Sequence, residues 1–178
     1  MDYRRYHQPG ATYFFTVVTE GRRPLLVENA GRLREAFRLI RVRYPFALQA
    51  IVVLPDHLHT LWRLPTGDDE YSRRWMVLKR LFSSGLASRP TTASQTNKRE
   101  KGIWQRRYWE HAIRDMEDWR RHMDYIHYNP VKHGYADAPR DWPQSSFGHW
   151  VERGLYDSDW GACEPETVRW MDGFEAGE

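Results

Sequence analysis

The sequence has little of what secreted and membrane proteins need. Its 178 residues include a single cysteine, Cys163, so no intramolecular disulfide can form, and we expect a reducing compartment. No apolar run approaches the roughly 20 residues that cross a bilayer. The first residues, Met1 to Arg5, lack the apolar core of a signal peptide. Internal repeats are also absent, so we expect one cytoplasmic domain with a small decoration.

Charge is unevenly distributed along the chain. The whole sequence carries a net charge of +3, but the tail from Val151 onward carries −6, which leaves +9 on residues 1–150. The chain also contains nine tryptophans and ten tyrosines. A basic, aromatic body suits a nucleic-acid partner, whereas surface arginines kept for solubility are the alternative. We hypothesise that the acidic tail, residues 151–178, covers the basic body when nucleic acid is absent.

Hydrophobic periodicity predicts an alternation of strands and helices. Strands are predicted at residues 11–19, 46–54, 57–64 and 103–113, and helices at 26–43, 71–87 and 115–129. The second helix is expected to bury Trp75, Leu78, Leu81 and Phe82 and to expose Arg73, Arg74, Lys79 and Arg80. Residues 88–101 lack apolar periodicity and are predicted to form a mobile loop. Asn129-Pro130 is expected to end the third helix, because the residue before proline resists the helical conformation.

The order β, α, β, β, α, β, α predicts an α+β fold of the ferredoxin-like, split βαβ type. Its antiparallel sheet would carry helices on one face, with one extra helix and an irregular C-terminal extension. In this topology the first and third strands are central neighbours. The predicted third strand would therefore be a rigid place to hold a ligand.

Two histidines, His57 and His59, begin that third strand. Side chains alternate along a strand, so both imidazoles point to one face while Leu58 points to the other. Two neighbouring imidazoles can bind one divalent metal. The alternative is a pair of partly exposed histidines that bind nothing.

The third helix supplies two further candidates. Tyr125 and Asn129 are four residues apart and share one helix face. A tyrosine can attack a phosphate once its hydroxyl is deprotonated or held against a cation, and the amide oxygen of Asn129 could complete a metal site begun by the histidines. The alternative is that Tyr125 only packs.

These segments resemble one known family. His57-Leu58-His59 resembles the HUH motif (histidine, bulky apolar residue, histidine) of single-tyrosine transposases. The run YIHYNPVKHG, from Tyr125 to Gly134, is similar to the signature that begins at the catalytic tyrosine of REP-associated tyrosine transposases. The segments WQRRYW at 104–109 and PGATYFFT at 9–16 also resemble that family. The resemblance covers roughly residues 3–150.

The resemblance implies a function and a ligand set. Residues 1–150 would form the transposase domain, with residues 151–178 packed on it or trailing from it. His57 and His59 would bind Mg²⁺ or Mn²⁺, and Asn129 stands where the wider family often has a glutamine ligand. Tyr125 would cut single-stranded DNA beside the hairpins of repetitive extragenic palindromes (REPs), leaving a 5′-phosphotyrosine and a free 3′-hydroxyl. A 3′-hydroxyl would reverse the step, and the protein would lie at the bacterial nucleoid.

Six basic residues are candidates for DNA contact, because each lies beside a predicted element end and near an aromatic that could stack on a base. They are Arg4, Arg5, Arg106, Arg107, Lys132 and His133. Each could instead be a solvated surface charge. Lys132 and His133 follow the tyrosine helix directly.

Other functions remain open from the residues alone. A DNA-hairpin-binding regulator of the same fold would need no catalysis. A histidine-triad enzyme acting on small nucleotides would need a third histidine where Leu61 stands. An interaction protein would use the tryptophan-rich C-terminal region as its surface. That region could equally cover a sheet edge, and we expect a monomer rather than a homodimer.

Overall fold

A four-stranded antiparallel sheet forms the centre of the computed structural model, which describes residues 7–89, 92–97 and 101–169. The strands are β1 (Thr12–Val18), β2 (Ala47–Val53), β3 (His57–Arg63) and β4 (Trp109–Ala112). Their spatial order is β2-β3-β1-β4, and every neighbouring pair is antiparallel. The ferredoxin-like prediction is confirmed, with the first and third strands adjacent at the centre.

Helices cover both faces of this sheet. The described helices of more than three residues are α1 (Ala30–Arg43), α2 (Tyr71–Ser83), α3 (Ala93–Asn97), α4 (Met116–Lys132), α5 (Phe147–Glu152) and α6 (Glu166–Arg169). Side chains of β1 alternate, so Phe15 packs with α1 and α2 while Phe14 packs with α4. On the first face Trp62 of β3 stacks on Trp75 of α2, with ring centroids 4.3 Å apart. None of the helices in the described ranges is long and apolar enough to cross a bilayer.

The tyrosine helix, α4, begins as predicted and ends later. The Asp115 side chain accepts a hydrogen bond from the Asp118 backbone N–H at 2.8 Å, which caps the first turn. The predicted stop at Asn129-Pro130 is wrong, because proline removes a single donor and the helix continues to Lys132. Gly134, at φ +70°, ends it: its N–H bonds to the Val131 carbonyl, and the next N–H bonds to the Pro130 carbonyl.

Several element bounds differ from the sequence prediction. β4 is shorter than residues 103–113. Residues 103–105 make only an isolated antiparallel bridge, Trp104 with Thr19, beside the end of β1, and Lys79 of α2 donates to the Gln105 carbonyl at 2.8 Å. α2 ends at Ser83 rather than residue 87, and α1 begins at Ala30 rather than residue 26. The predicted loop at 88–101 contains the short helix α3. Leu81, which was predicted on the buried face of α2, is only partly buried.

Arg74 is the clearest error in the predicted polar side of α2. It is 2% exposed and was expected on the surface. Its guanidinium donates to both carboxylate oxygens of Asp68, at 2.9 and 2.6 Å, and to the Pro45 carbonyl at 2.9 Å. A buried charge is tolerated there because it is paired and hydrogen-bonded.

The C-terminal region packs on both the sheet edge and α4. Segment 142–150 runs along β2, one of the two edge strands: the Val53 N–H donates to the Gln144 carbonyl and the Ser146 N–H donates to the Ile51 carbonyl. Further along, Val168 of α6 is fully buried against α4. Trp150 and Trp160 pack against the same core, whereas Trp170 lies outside the described residues.

Candidate functional site

The first part of the site is the histidine pair on β3. His57 and His59 point to the same face of the sheet, with ring centroids 5.1 Å apart and ring planes at 82°. Both side chains are buried, with 1% and 0% of their surface exposed. The alternative of two partly exposed histidines is therefore wrong on the exposure. A central strand fixes their spacing, because β3 is hydrogen-bonded on both sides.

Each imidazole is oriented by a hydrogen bond at Nδ1. Nδ1 of His57 lies 2.7 Å from Asp56 Oδ1, and Nδ1 of His59 lies 2.9 Å from Thr16 Oγ1. Arg22 in turn donates to Asp56 Oδ2 at 2.8 Å. Burial opposes the charged form of Asp56, but the hydrogen bonds from His57 and Arg22 lower its pKa. A neutral His57 that donates its Nδ1 proton to Asp56 presents on Nε2 the lone pair that a metal requires.

Helix α4 brings Tyr125 over the histidine pair. The Tyr125 side chain is 2% exposed, and its ring centroid lies 5.2 Å from that of His59. The Lys132 ammonium lies 5.4 Å from the centre of the tyrosine ring, within the range of a cation–π interaction. At the end of the helix, the ring of His133 lies 5.2 Å from the ring of His57.

Asn129 lies on the same helix face, one turn after Tyr125 and one turn before His133. Its side chain is fully buried. Neither its amide oxygen nor its amide nitrogen has a hydrogen-bond partner among the described residues. Buried amide groups are rarely left without a hydrogen-bond partner. A ligand bound at this site could therefore contact the Asn129 amide.

Of the predicted DNA contacts, the structure places only two at this site. Lys132 and His133 adjoin Tyr125 and His57. Arg106 and Arg107 are exposed on the segment before β4, and Arg106 donates to Ser94 Oγ at 2.9 Å. Arg4 and Arg5 lie outside the described residues.

A second cluster, not predicted from the sequence, lies between β4 and α4. It consists of His111, Asp118 and His122, whose candidate ligand atoms all lie within 4.8 Å of one another. Within the described ranges it is the only group of three histidine, cysteine or acidic residues that close together. The His122 ring is 4.7 Å from Phe14, which also contacts the Tyr125 ring at 6.0 Å, so the cluster adjoins the tyrosine.

Hydrogen bonds within this cluster centre on Asp118. His111 Nε2 lies 2.8 Å from Asp118 Oδ2, and the same oxygen accepts from the Arg114 backbone N–H and guanidinium, each at 3.0 Å. Burial alone would raise the pKa of Asp118, but these hydrogen bonds outweigh it and hold that pKa well below its usual range. Burial lowers the pKa of His122 to about 4, so this ring is neutral at pH 7.

The sequence holds a weak signal for this cluster. Asp118 and His122 are four residues apart on α4, and His122 precedes Tyr125 by three, so all three side chains share a helix face. His111 belongs to a different element, β4, and reaches Asp118 across the short turn that leads into α4.

Comparisons with known proteins give the chain close relatives. It is 46% identical over 166 residues to a Haemophilus influenzae protein that carries the name REP-associated tyrosine transposase, covering 90% of this chain and 93% of the relative. It is 45% identical over 160 residues to the REP-associated tyrosine transposase of Escherichia coli, covering 89% and 90% of the two chains. A solved structure of a REP-associated tyrosine transposase bound to a REP hairpin matches with a TM-score of 0.79 and 42% identity, over 94% of this chain and 96% of the other. No family model matches the sequence.

Proposed function

The chain belongs to the REP-associated tyrosine transposases, a family of DNA transposases, and we propose that it cuts and rejoins single-stranded DNA beside REP hairpins with Tyr125 as the nucleophile. The observation that carries this proposal is the position of Tyr125 against His59 and below Lys132. The Tyr125 ring contacts both a motif histidine and a lysine.

The proposed reaction exchanges one phosphoester bond for another. The Tyr125 hydroxyl loses its proton, and its oxygen forms a bond to the phosphorus atom of the DNA backbone. The bond from phosphorus to the 3′-oxygen breaks, and that oxygen takes up a proton to give a 3′-hydroxyl. The strand downstream of the cut remains on the enzyme, joined through its 5′-phosphate as a phosphotyrosine, and the upstream strand is released with the 3′-hydroxyl. Because the number of ester bonds is unchanged, no nucleotide cofactor is required.

Lys132 supports the nucleophile in this scheme. A free phenol has a pKa of about 10, so its anion must be stabilised to be present at neutral pH. An ammonium 5.4 Å from the ring centre favours the negative charge of a phenolate. We propose that His133, whose ring lies beside that of His57, contacts the phosphate next to the one that is cut.

The residues present fit the divalent metal that the family resemblance implies. His57 and His59 would hold it through Nε2, with the amide oxygen of Asn129 as a third ligand. The fit rests on the buried amide without a partner among the described residues and on the carboxylate that orients His57. A bound Mg²⁺ or Mn²⁺ supplies a Lewis acid that polarises phosphate oxygens, and Mn²⁺ tolerates imidazole ligands better.

The partner proposed for this site is a DNA hairpin with adjoining single strand. Support comes from the similar solved structure, which is bound to a REP hairpin. We also propose that one chain is sufficient, because segment 142–150 occupies the outer edge of β2, where a second sheet would otherwise pair.

A denaturing-gel assay tests this function. The protein is mixed with hairpin DNA from beside its own gene, with Mn²⁺, Mg²⁺ or a chelator. We expect a metal-dependent covalent adduct that is lost in Tyr125→Phe and kept in the matched control Tyr128→Phe, which removes a hydroxyl from the same helix. Tight hairpin binding without an adduct in the wild-type protein would favour a non-catalytic regulator.

A further inference from the structure

A network of buried polar side chains lies on the side of the tyrosine helix, α4, that the C-terminal region covers. At its centre is Asp124, the residue before Tyr125, whose side chain is 3% exposed. Tyr156 donates to Asp124 Oδ1 at 2.7 Å, and Thr167 of α6 donates to Oδ2 at 2.8 Å. Arg120, one turn earlier on α4, pairs with the same carboxylate at 3.1 Å. Each carboxylate oxygen therefore accepts a hydroxyl hydrogen bond from the C-terminal region.

Tyr156 connects two turns of α4. Its side chain is buried, and His127 Nδ1 lies 3.2 Å from its hydroxyl oxygen. His127 Nε2 lies 2.9 Å from Ser146 Oγ, in the segment that pairs with β2. The Arg120 guanidinium lies 4.8 Å from the centre of the Tyr156 ring, within the range of a cation–π interaction. Burial and the neighbouring Asp124 carboxylate raise the pKa of the Tyr156 hydroxyl, so this group keeps the proton that it donates.

Helical spacing places this network and the candidate site on different faces of α4. One row of residues at i, i+4 and i+7 belongs to the network: Arg120, Asp124 and His127. A second row with the same spacing belongs to the site: Tyr125, Asn129 and Lys132. Successive residues are about 100° apart around a helix, so the two rows are about 140° apart. Any effect of the network on Tyr125 therefore passes through the helix itself.

Apolar packing by itself leaves the rotation of α4 about its axis loosely defined. Met123 and Ile126 belong to the same buried cluster as Phe14 of β1 and Leu61 of β3. Hydrophobic burial has no preferred direction, so such contacts tolerate a small rotation of the helix. Hydrogen bonds weaken steeply when they are bent. Two hydroxyl donors from outside the helix, both on the Asp124 carboxylate, therefore restrict that rotation.

A small rotation of α4 matters for the reacting atom. Side chains of a helix reach about 5–6 Å from its axis, so a rotation of about 10° moves their ends by about 1 Å. A misplacement of about 1 Å can slow a reaction about 100-fold. The Tyr125 ring lies 5.2 Å from the His59 ring between centroids, so its place over the histidine pair depends on the rotation of α4.

We propose that Asp124 is a positioning residue for DNA cleavage, and that Tyr156 and Thr167 hold it so that the Tyr125 hydroxyl stays over the histidine pair. The C-terminal region is then required for catalysis as well as for covering the sheet edge. Replacing a buried ionic group by apolar side chains is often neutral or stabilising, so stability alone does not account for a carboxylate at this place. This proposal rests on the proposed function, because it assigns the network to the same tyrosine.

Single-turnover cleavage of hairpin DNA tests the positioning role. The test variants are Tyr156→Phe and Thr167→Val, singly and together, because each removes one hydroxyl and keeps the shape of the side chain. The matched control is Thr60→Val, which removes a buried hydroxyl that donates to the Ala50 carbonyl at 2.8 Å. Thr60 also accepts from the Trp62 indole, on the face of the sheet opposite α4. Each protein is measured for its cleavage rate at saturating DNA, for its hairpin dissociation constant with a chelator present, and for its urea unfolding curve.

We expect the double variant to cleave about 10- to 100-fold more slowly at saturating DNA, with a dissociation constant within about twofold of the wild-type value. A role limited to stability does not produce this separation, since a folded protein with Tyr125 in place keeps its rate. Thr60→Val should keep its cleavage rate within about twofold, because the reacting groups stay where they are. The single variants give the answer if the double variant unfolds.

A fluorine label reports the surroundings of the tyrosine directly. With Tyr125 alone replaced by 3-fluorotyrosine, the ¹⁹F resonance of the free protein should shift or broaden in the double variant and stay unchanged in Thr60→Val. This measurement needs neither DNA nor metal, so it tests the positioning role separately from the cleavage chemistry.

Three results would overturn the positioning role. They are an unchanged cleavage rate in the double variant, an equal fall in rate in Thr60→Val at equal stability, and a fall in hairpin affinity with the rate kept. The last would mean that the C-terminal region binds DNA directly. Variants that cleave at the wild-type rate leave the proposed function standing and reject the role of Asp124. A wild-type protein that forms no adduct rejects the proposed function, and the fluorine resonance then decides the positioning role alone.

Discussion

At the scale of single residues, the proposed metal site depends on hydrogen bonds that orient the imidazoles of His57 and His59. Asp56 holds Nδ1 of His57, and Thr16 holds Nδ1 of His59. We predict that Asp56→Asn weakens Mn²⁺ binding by about 10- to 100-fold, since outer partners of ligating histidines contribute on that scale. Isothermal titration with Mn²⁺ measures this, with the exposed Asp159→Asn as the control.

The same titration separates the two histidine clusters. If the metal binds at His57 and His59, then His122→Gln should leave Mn²⁺ affinity within about twofold of the wild-type value, since His122 belongs to the cluster with His111 and Asp118. A large loss in His122→Gln together with no loss in Asp56→Asn would contradict the assignment of the metal to the HUH motif.

His127 gives the protein a defined response to pH. Burial lowers its pKa to about 3, and its ring nitrogens contact Tyr156 and Ser146. In the unfolded chain the pKa is about 6.5, so between these values only the unfolded state takes up the proton. The stability that a neutral His127 provides is therefore present above pH 6.5 and is lost as the pH falls, by at most about 1.4 kcal/mol per pH unit.

Urea unfolding at pH 7, 6 and 5 tests the direction of this pH dependence. We predict that wild type is more stable than His127→Gln at pH 7 and that the difference in the free energy of unfolding narrows towards pH 5. A difference that stays constant across the three pH values would show that His127 does not carry the effect.

Single residues also mark where sequence interpretation succeeded. The i, i+2 spacing of His57 and His59 and the i, i+4 spacing of Tyr125 and Asn129 are local, so strand and helix geometry alone predicted their shared faces. The cluster of His111, Asp118 and His122 spans the turn between β4 and α4, so neither the strand period nor the helix period alone indicates it. The burial of Arg74 likewise depends on Asp68 and on carbonyls that only the fold brings near.

At the scale of elements, the length of α4 determines which residues reach the site. The helix passes through Pro130 and ends at Gly134, and this carries Lys132 and His133 to Tyr125 and His57. The earlier end was predicted from one local preference, that of the residue before proline for a non-helical conformation. The burial of one face of α4 and the capping turn at Gly134 favour the longer helix more strongly.

The capping glycine makes this account testable. Gly134 has φ +70°, and a Cβ added there would meet no atom within 4 Å. Gly134→Ala should therefore lower the free energy of unfolding by about 1–2 kcal/mol, because alanine disfavours this backbone conformation. It should also slow DNA cleavage by displacing Lys132. Urea unfolding and a cleavage assay measure both effects. Gly148→Ala in α5, which also meets no atom within 4 Å but lacks a positive φ, is the control and should cause neither.

At the scale of the whole molecule, the C-terminal region binds to the body in two places. Segment 142–150 pairs with β2, and the Trp142 and Trp150 indoles donate to the backbone carbonyls of Val53 and Gln49 at 3.0 and 2.8 Å. Further along, Tyr156 donates to a carboxylate oxygen of Asp124 on α4 at 2.7 Å. The sequence predicted this coverage only in outline, because tryptophan content does not specify where each ring docks.

Coverage of the β2 edge predicts a monomer. Sedimentation equilibrium at micromolar concentration should give a mass near the 21.4 kDa of one chain, with and without hairpin DNA after its mass is subtracted. A stable dimer in the absence of DNA would show that β4 or another surface pairs two copies, and the edge argument would then fail.

The central claim is that Tyr125 becomes covalently joined to DNA, and peptide mapping by mass spectrometry tests it most directly. The protein is incubated with hairpin DNA and Mn²⁺, trimmed with a nuclease, digested and sequenced by fragmentation. The account predicts a nucleotide phosphate on the hydroxyl of Tyr125 and a free 3′-hydroxyl on the released strand. A phosphate on another residue such as Tyr128, or cut DNA with no modified peptide, would contradict it.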